Sequence, residues 1–308
     1  MQRLMFTGGG GAGNEAIWRL WRDRYDMRFT DADVEAVDPA IPAERRFQIP
    51  FASAADFPAA LADICRRERI DLLIPGVDEE LPMMPAVAAA APDTAILVPG
   101  EAFVAQSMDK LATARALSKC GLAAPRSETL DDVATIGFPC FAKPRRGRGS
   151  RGVRTLRDRG EADAYLRLSG LSPREILIQE LLVGREFTVL MAADREGRLH
   201  AIVPVEVSIK RGITIRARVV PDPSVIAACR AVHEAFAPGG CYNIQLILTA
   251  ERRAVPFEIN PRVSTTFCLG IAAGVDPVEI FFRTAPPVKL APVREGLELH
   301  RHWTNVIH

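Results

Sequence analysis

The sequence lacks a long apolar run, a paired cysteine motif and an excess of either charge. No uncharged run reaches the roughly 18 residues that a membrane-spanning helix needs, and Met1 leads directly into a strand-like segment, so neither a membrane anchor nor a signal peptide is expected. The 39 basic and 38 acidic residues exclude the strongly basic surface that binds nucleic acid or an anionic membrane. The six cysteines contain no CxxC pair, a pattern typical of a reduced, cytoplasmic protein.

Lysine is also scarce, because arginine supplies most of the positive charge. Only five of the 39 basic residues are lysines, at positions 110, 119, 143, 210 and 289. A lysine that stands at a motif position in this chain therefore carries more information than it would in an average protein.

The first hundred residues alternate short apolar strands with helices, which predicts parallel strands in an α/β layer. The strands are expected at 3–7, 27–30, 72–74 and 95–98, and the helices at 14–24, 56–69 and 81–91. After Pro99 and Gly100 the pattern changes. Ser107 is expected to cap a helix that ends near Gly121, residues 201–220 alternate as antiparallel strands do, and a last edge strand is expected at 297–303.

A cluster of glycines at 8–13 follows the first strand and precedes the first helix. It fits the pattern G-x-G-x-x-G, with Asp31 or Asp33 at the distance of a ribose contact, which indicates a dinucleotide site. A run of four glycines also satisfies this pattern when it only lets the strand turn tightly into its helix. Both interpretations stay open at this point.

The strongest chemical signal lies at Glu258, Asn260 and Arg262, whose i, i+2, i+4 spacing puts all three side chains on one face of a strand. A hairpin with loop 250–253 places Gln245 opposite Glu258 and Asn243 opposite Asn260. The other face is apolar, with Ile244, Leu246, Phe257 and Ile259. Carboxylate and amide oxygens side by side are ligands suited to Mg²⁺, which proteins hold together with nucleotide phosphates.

A second signal is Lys143, at the end of a strand expected over 138–143 and before an Arg/Gly-rich loop at 145–152. It is not a Walker A loop, because no Gly-Lys-Ser/Thr opens a helix. A lysine can hold inner phosphates as a point charge, while backbone amides at Gly147, Gly149 and Ser150 close over the outer phosphates. A third signal is the linker 179–186, where Glu180 suits an adenine edge and Glu186 suits ribose hydroxyls.

These motifs follow one another in the order found in the ATP-grasp superfamily, and the chain most resembles the ATP-grasp halves of carbamoyl-phosphate synthetase and small ligases similar to them. The resemblance covers about residues 1–285. It implies an α/β protein with a Rossmann-like pre-ATP-grasp domain at 1–105, a small lid subdomain at 106–182 and a large subdomain at 183–308. In such proteins the N-terminal glycines shape the floor near the substrate.

The same resemblance implies the cofactors and their ligands. ATP and Mg²⁺ are expected, with two ions as the usual number and Mn²⁺ as a substitute. The phosphates would contact Lys110 and Lys143, the adenine Glu180 and Leu182, and the ribose Glu186. The metal would be held by Gln245, Glu258 and Asn260, and Arg262 would steady the phosphoryl group during transfer.

The resulting interpretation is an ATP-dependent carboxylate–amine ligase that forms an acyl phosphate and releases ADP and phosphate. No Ser/His/Asp or Cys/His nucleophile arrangement competes with it. The alternatives are an enzyme that phosphorylates bicarbonate or carbamate and a protein that binds NAD(P) or another nucleotide at its glycine cluster. The partners expected are small molecules, with a homodimer left open.

The substrate site is expected between the N-terminal sheet and the metal ligands. Asp78 and Glu79 follow the third parallel strand, at the end where open α/β sheets bind ligands, and they suit an ammonium group. Arg211 and Arg216 suit a carboxylate. Together these residues favour an amino acid or another zwitterion, although Asp78 and Glu79 equally serve as acidic residues at the start of a helix.

Overall fold

A computed structural model describes residues 1–303 of the chain, which form three sheets with helices packed on their faces. The strands are β1 (Arg3–Thr7), β2 (Asp26–Asp31), β3 (Arg46–Gln48), β4 (Leu72–Ile74), β5 (Ala95–Ile96), β6 (Ser127–Thr129), β7 (Cys140–Pro144), β8 (Arg154–Leu156), β9 (Ile176–Glu180), β10 (Arg185–Ala193), β11 (Leu199–Arg211), β12 (Ile213–Val219), β13 (Cys241–Leu248), β14 (Ala254–Asn260) and β15 (Glu298–His300). The helices are α1 (Asn14–Trp21), α2 (Phe57–Glu68), α3 (Met84–Ala90), α4 (Glu101–Ser107), α5 (Lys110–Lys119), α6 (Val133–Ile136), α7 (Arg159–Ser169), α8 (Pro223–Phe236), α9 (Phe267–Ala272) and α10 (Pro277–Phe281).

The N-terminal sheet is parallel, in the order β3-β2-β1-β4-β5. This confirms the α/β layer that the alternation of strands and helices predicts. Its carboxyl edge carries the glycine cluster after β1, Asp31 at the end of β2 and Gly76 after β4. A side chain at Gly76 would place its Cβ 2.6 Å from the carbonyl oxygen of Thr7, so only glycine lets these two strand ends come so close.

The other two sheets are antiparallel. The small sheet has the order β6-β9-β7-β8, and the large sheet has the order β14-β13-β10-β11-β12-β15. The short strand β15 forms the predicted edge, paired with β12. The N-terminal and large sheets share one apolar core, in which the rings of Trp21 from α1 and Phe267 from α9 meet edge to face at 5.9 Å.

The hairpin of β13 and β14 has the predicted strand pairing at Gln245 and Glu258 but not near its turn. Gln245 lies opposite Glu258 as expected, whereas Ala254 lies opposite Leu248 and not Thr249. The turn is therefore one residue longer than predicted, and a bulge at Phe257 restores the register. The bulge also turns Phe257 off the apolar face on which the sequence places it: Ile244, Leu246 and Ile259 lie in the core, whereas Phe257 lies beside Lys143.

The helix after Pro99 and Gly100 differs from the sequence prediction. Ser107 does not cap it, because Ser107 ends α4, and Asp109 caps α5 by accepting hydrogen bonds from the amides of Leu111 and Ala112 at 3.0 and 3.2 Å. The predicted domain boundary at residue 105 falls inside α4. Among residues 1–303, no helix combines the length and the apolar character needed to cross a membrane.

Candidate functional site

Two adjoining cavities lie where the three sheets meet. The lid cavity, of about 500 Å³, runs between the small and large sheets and is lined by Lys110, Lys143 and Leu182 among others. The floor cavity, of about 660 Å³, runs between the large sheet and the carboxyl edge of the N-terminal sheet, with Glu80 and Arg262 in its wall. The wall that both cavities share includes Glu186, Lys210, Gln245 and Glu258. A ligand in one cavity therefore meets a ligand in the other at these side chains.

Lys143 is a buried cation in the wall of the lid cavity. Its side chain is only 4% exposed, and its Nζ lies 3.8 Å from Oε2 of Glu258 and 5.1 Å from the centre of the Phe257 ring. Burial lowers the pKa of Lys143 to about 8, against the opposing effect of Glu258. The negative charge of Glu258 thus offsets only part of the cost of burying this ammonium group. A polyphosphate would supply further negative charge, so Lys143 is suited to bind one.

Lys210 opens the segment 210–216, whose cations are expected to suit a substrate carboxylate, and the structure places Lys210 in the wall shared by the two cavities. Its Nζ donates to Oε1 of Glu186 at 2.5 Å and to Oε1 of Gln245 at 3.2 Å, across the shared wall. The scarcity of lysine is a further signal for Lys210, because Lys110, Lys143 and Lys210, three of the chain's five lysines, line the lid cavity.

Gln245, Glu258 and Asn260 line the floor cavity, as the hairpin pattern predicts. Asn260 is 7% exposed, and its side chain has no hydrogen-bond partner among residues 1–303. Two amide oxygens and one carboxylate fit Mg²⁺ if phosphate oxygens complete its coordination. The described residues hold no group of three or more His, Cys, Asp or Glu that could hold a metal ion.

Asn243 does not join these ligands. It is fully buried, and its Nδ2 donates to the carbonyl of Arg262 at 2.7 Å while its Oδ1 accepts from Ser264 at 3.1 Å. Asn243 therefore fixes the loop that carries Arg262. The guanidinium of Arg262 in turn donates to Asp78 and so joins the hairpin to the N-terminal sheet.

The loop at 145–152 is held over the lid cavity at three points. Lys110 donates from Nζ to the carbonyl of Gly147 at 2.6 Å, Arg145 pairs with Asp109 at 2.6 Å, and Arg148 pairs with Glu79 at 2.9 Å. Positive φ angles occur at Gly147, Gly149 and Ser150, a conformation that glycine adopts most readily.

Glu180 lies in the lid cavity beside Leu182, but its carboxylate is already engaged. The backbone amide and the Nε of Arg126 donate to its two oxygens at 3.0 and 3.1 Å. Arg126 therefore holds Glu180 against the wall of the cavity, and this partner lies more than fifty residues away along the chain.

Three amides of the glycine cluster, those of Gly9, Gly10 and Gly11, are engaged within the protein and are not free to bind a pyrophosphate. The amide of Gly9 donates to Thr30, that of Gly10 to Oδ2 of Asp31 at 2.9 Å, and that of Gly11 to Gly8. This arrangement favours the interpretation in which the glycines serve the turn and shape the floor cavity. Asp31, one of the two carboxylates expected to contact a ribose, instead accepts a hydrogen bond from the glycine loop.

The predicted substrate residues divide into two groups. Asp78 and Glu79 lie at the floor cavity or beside it, but both carboxylates are paired with arginines, Arg262 and Arg148. Arg211 and Arg216 are exposed on the large sheet and line neither cavity, so the structure does not bring them to the other site residues. The prediction missed Glu80, which is buried and lines the floor cavity.

Comparisons with known proteins agree with this arrangement. The family model described as "ATP-grasp in the biosynthetic pathway with Ter operon" matches residues 172–302. The chain is 25% identical to the formate-dependent phosphoribosylglycinamide formyltransferase of Ignicoccus hospitalis, an alignment that covers 88% of this chain and 72% of that protein.

Two solved structures share the fold at 15% identity. One is N5-carboxyaminoimidazole synthase from Aspergillus clavatus in complex with ADP and 5-aminoimidazole ribonucleotide, with a TM-score of 0.69 and coverage of 94% of this chain and 78% of that chain. The other is the biotin carboxylase domain of Hydrogenobacter thermophilus 2-oxoglutarate carboxylase with MgADP, ADP and bicarbonate, with a TM-score of 0.69 and coverage of 96% and 73%.

Proposed function

We propose that the chain, which the ATP-grasp family model matches over residues 172–302, is an ATP-grasp ligase that joins a small carboxylic or amino acid to an amine at the expense of ATP. The reaction forms an acyl phosphate and releases ADP and phosphate. The observation that carries this proposal is the shared wall of the two cavities. It lets a nucleotide in the lid cavity present its terminal phosphate to an acceptor in the floor cavity.

In the first step a carboxylate oxygen attacks the γ-phosphorus, and ADP leaves. This transfer needs positioning and charge neutralisation more than covalent help from the protein. Lys143 and Lys110 bind the phosphates, the loop at 145–152 covers them, and Arg262 neutralises charge on the group in transfer. Gln245, Glu258 and Asn260 would hold Mg²⁺, which would supply further charge neutralisation.

In the second step an amine attacks the acyl carbon and phosphate leaves. The floor cavity must therefore hold both the acyl group and the amine, and its volume of about 660 Å³ is sufficient for two small molecules. Thr265 and Thr266 also line this cavity.

A second candidate is the phosphorylation of bicarbonate, because the biotin carboxylase domain that shares this fold was solved with bicarbonate and MgADP. Both candidates use the same lid cavity. They differ in the acceptor that stimulates ADP release.

The experiment follows ADP release with Mg²⁺ and ATP, first with a pool of the twenty amino acids and then with bicarbonate. Hydroxylamine is added in parallel, because it converts an acyl phosphate into a hydroxamate that can be identified by mass spectrometry. Stimulation by the amino-acid pool together with a hydroxamate supports the ligase. Stimulation by bicarbonate alone favours the second candidate, and no stimulation by either removes both.

A further inference from the structure

Glu80 is a buried carboxylate that the reaction as described above does not use. It follows β4 and the close contact at Gly76, its side chain is 5% exposed, and it lines the floor cavity. Burying an ionised carboxylate without an ion pair costs free energy. A functional role for Glu80 would explain why this cost is tolerated.

The two oxygens of Glu80 have different surroundings. Oε2 accepts a hydrogen bond from the hydroxyl of Thr7, and that hydroxyl oxygen itself accepts from the amide of Gly76 at 3.0 Å. Oε1 has no hydrogen-bond partner among residues 1–303. Thr7 therefore fixes the carboxylate and leaves one oxygen available to the cavity.

The neighbouring carboxylates are not available in this way. Asp78 is held by Arg262 and Glu79 by Arg148, while Asp31 accepts from the backbone amides of Gly10 and Asp33. Among the carboxylates at this edge of the N-terminal sheet, Glu80 is the one that combines burial with an uncommitted oxygen.

We propose that Glu80 receives the amine substrate as its ammonium form and accepts the proton that this group must lose before it attacks. The inference rests on the proposed ligase function and names one property of its acceptor: a primary amine that enters protonated. A carboxylate at this place attracts the ammonium and then removes its proton, a role that no paired carboxylate in the cavity fills.

Every proton and bond in the proposed amide-forming step is accounted for. The ammonium gives one proton to the Glu80 carboxylate, and the neutral amine forms a bond to the acyl carbon. The bond from that carbon to the phosphate oxygen then breaks, and the proton that the new amide nitrogen loses leaves with the phosphate. Glu80 returns its own proton to water when the product leaves.

The acidity of Glu80 suits this role. Burial raises the pKa of Glu80 to about 7, while the hydrogen bond from Thr7 opposes this rise. Of the charged groups around it, Asp31 and Glu79 raise the pKa and Arg148 lowers it. A general base works best when its pKa lies near the working pH.

The test compares the Glu80→Gln variant with wild type, using hydroxylamine and the amino-acid pool as alternative acceptors. Hydroxylamine is largely unprotonated at neutral pH and needs no base. We expect the variant to form hydroxamate within twofold of the wild-type rate but to form amide products about a hundredfold more slowly, the lower end of what a general base contributes. Amide formation in the variant should then rise about tenfold per pH unit from pH 7 to 8, as more of the amine is unprotonated.

The Glu35→Gln variant is the control, because Glu35 is exposed and lines neither cavity. Equal amide formation in Glu80→Gln and wild type would overturn the inference, and so would an equal loss of both products. If wild type itself yields no hydroxamate, the proposed ligase function is refuted, and the inference about Glu80, which rests on that function, is refuted with it.

A second variant serves if Glu80→Gln does not fold. Thr7→Val keeps the shape of the side chain and removes the hydrogen bond that favours the ionised carboxylate. The rising limb of the pH profile for amide formation should move to higher pH, while hydroxamate formation keeps its profile. An unmoved limb would show that Glu80 does not titrate in the reaction.

Discussion

Replacing Lys143 with methionine should stabilise the nucleotide-free protein while abolishing ATP turnover. Lys143 is 3% exposed, and burial lowers its pKa from 10.5 to about 8. That difference corresponds to about 3 kcal/mol of stability lost at pH 7, with the attraction to Glu258 already included. Methionine keeps the length of the side chain and removes the buried charge.

The sign of the pH dependence follows from the lowered pKa. Between pH 8 and 10.5 the folded protein holds fewer protons at Lys143 than the unfolded chain, so wild type gains stability as pH rises through this window. Below pH 8 the penalty is fully present. At about 2 °C per kcal/mol for a chain of this size, Lys143→Met should raise Tm by about 6 °C at pH 7, and the advantage should shrink toward pH 10.

The assay is thermal unfolding from pH 6 to 10, with and without MgATP. MgATP should raise the Tm of wild type and leave that of the variant nearly unchanged, because the phosphates lose their buried cation. The matched control is Lys119→Met, an exposed lysine at the end of α5, which should change neither property. A lower Tm for Lys143→Met at pH 7, or a difference that does not vary with pH, would refute the reasoning.

Four further predictions concern other parts of the site. Glu258→Gln should lower ATP turnover at least a hundredfold at saturating Mg²⁺, measured by ADP release, because a ligating charge is lost where phosphate charge must be neutralised; near-normal turnover would remove Glu258 from the site. Trypsin cleavage within 145–152 should fall when an ATP analogue and Mg²⁺ are added, as read by mass spectrometry, and unchanged cleavage would mean that the loop does not cover the phosphates. Because the pKa of Glu80 is raised to about 7 from its ordinary 4.5, stability is lost as pH rises through this range, so Glu80→Gln should raise Tm more at pH 8 than at pH 5; an equal shift at both would contradict the raised pKa. Asp78→Asn should release Arg262 and raise the KM of the carboxylate substrate several-fold in steady-state kinetics, and an unchanged KM would mean that this pair does not shape the floor cavity.

The metal-ligand hairpin shows how much of a site a local pattern can predict. Gln245 and Glu258 are paired because alternation along a strand and the proximity of two strands in a hairpin are both properties of a short segment. The turn was predicted one residue too short, and only the bulge at Phe257 kept the pairing correct. That bulge brings Phe257 to Lys143, which no periodicity in the sequence indicates.

The residues that were missed or misplaced depend on distant partners. Lys210 and Arg211 are adjacent, and a charge pattern cannot tell which of them faces the cavity; the strand pairing with β12 decides that Lys210 meets Glu186. Likewise, the spacing of Asn243 along its strand is that of a metal ligand. Its side chain instead holds the loop that carries Arg262, because that loop folds over it and its carbonyl accepts a hydrogen bond from Asn243.

The sequence by itself determined the parallel N-terminal layer, the antiparallel sheets, the order of the motifs and the identity of the face that carries Glu258 and Asn260. These features follow from periodicity and from contacts between neighbouring segments. The tertiary structure alone decided which carboxylate is uncommitted, because Asp78 meets an arginine 184 residues away and Glu80 meets a hydroxyl 73 residues away. Burial and pairing are properties of the assembled fold, and they set the charge and acidity on which the chemistry of the two cavities depends.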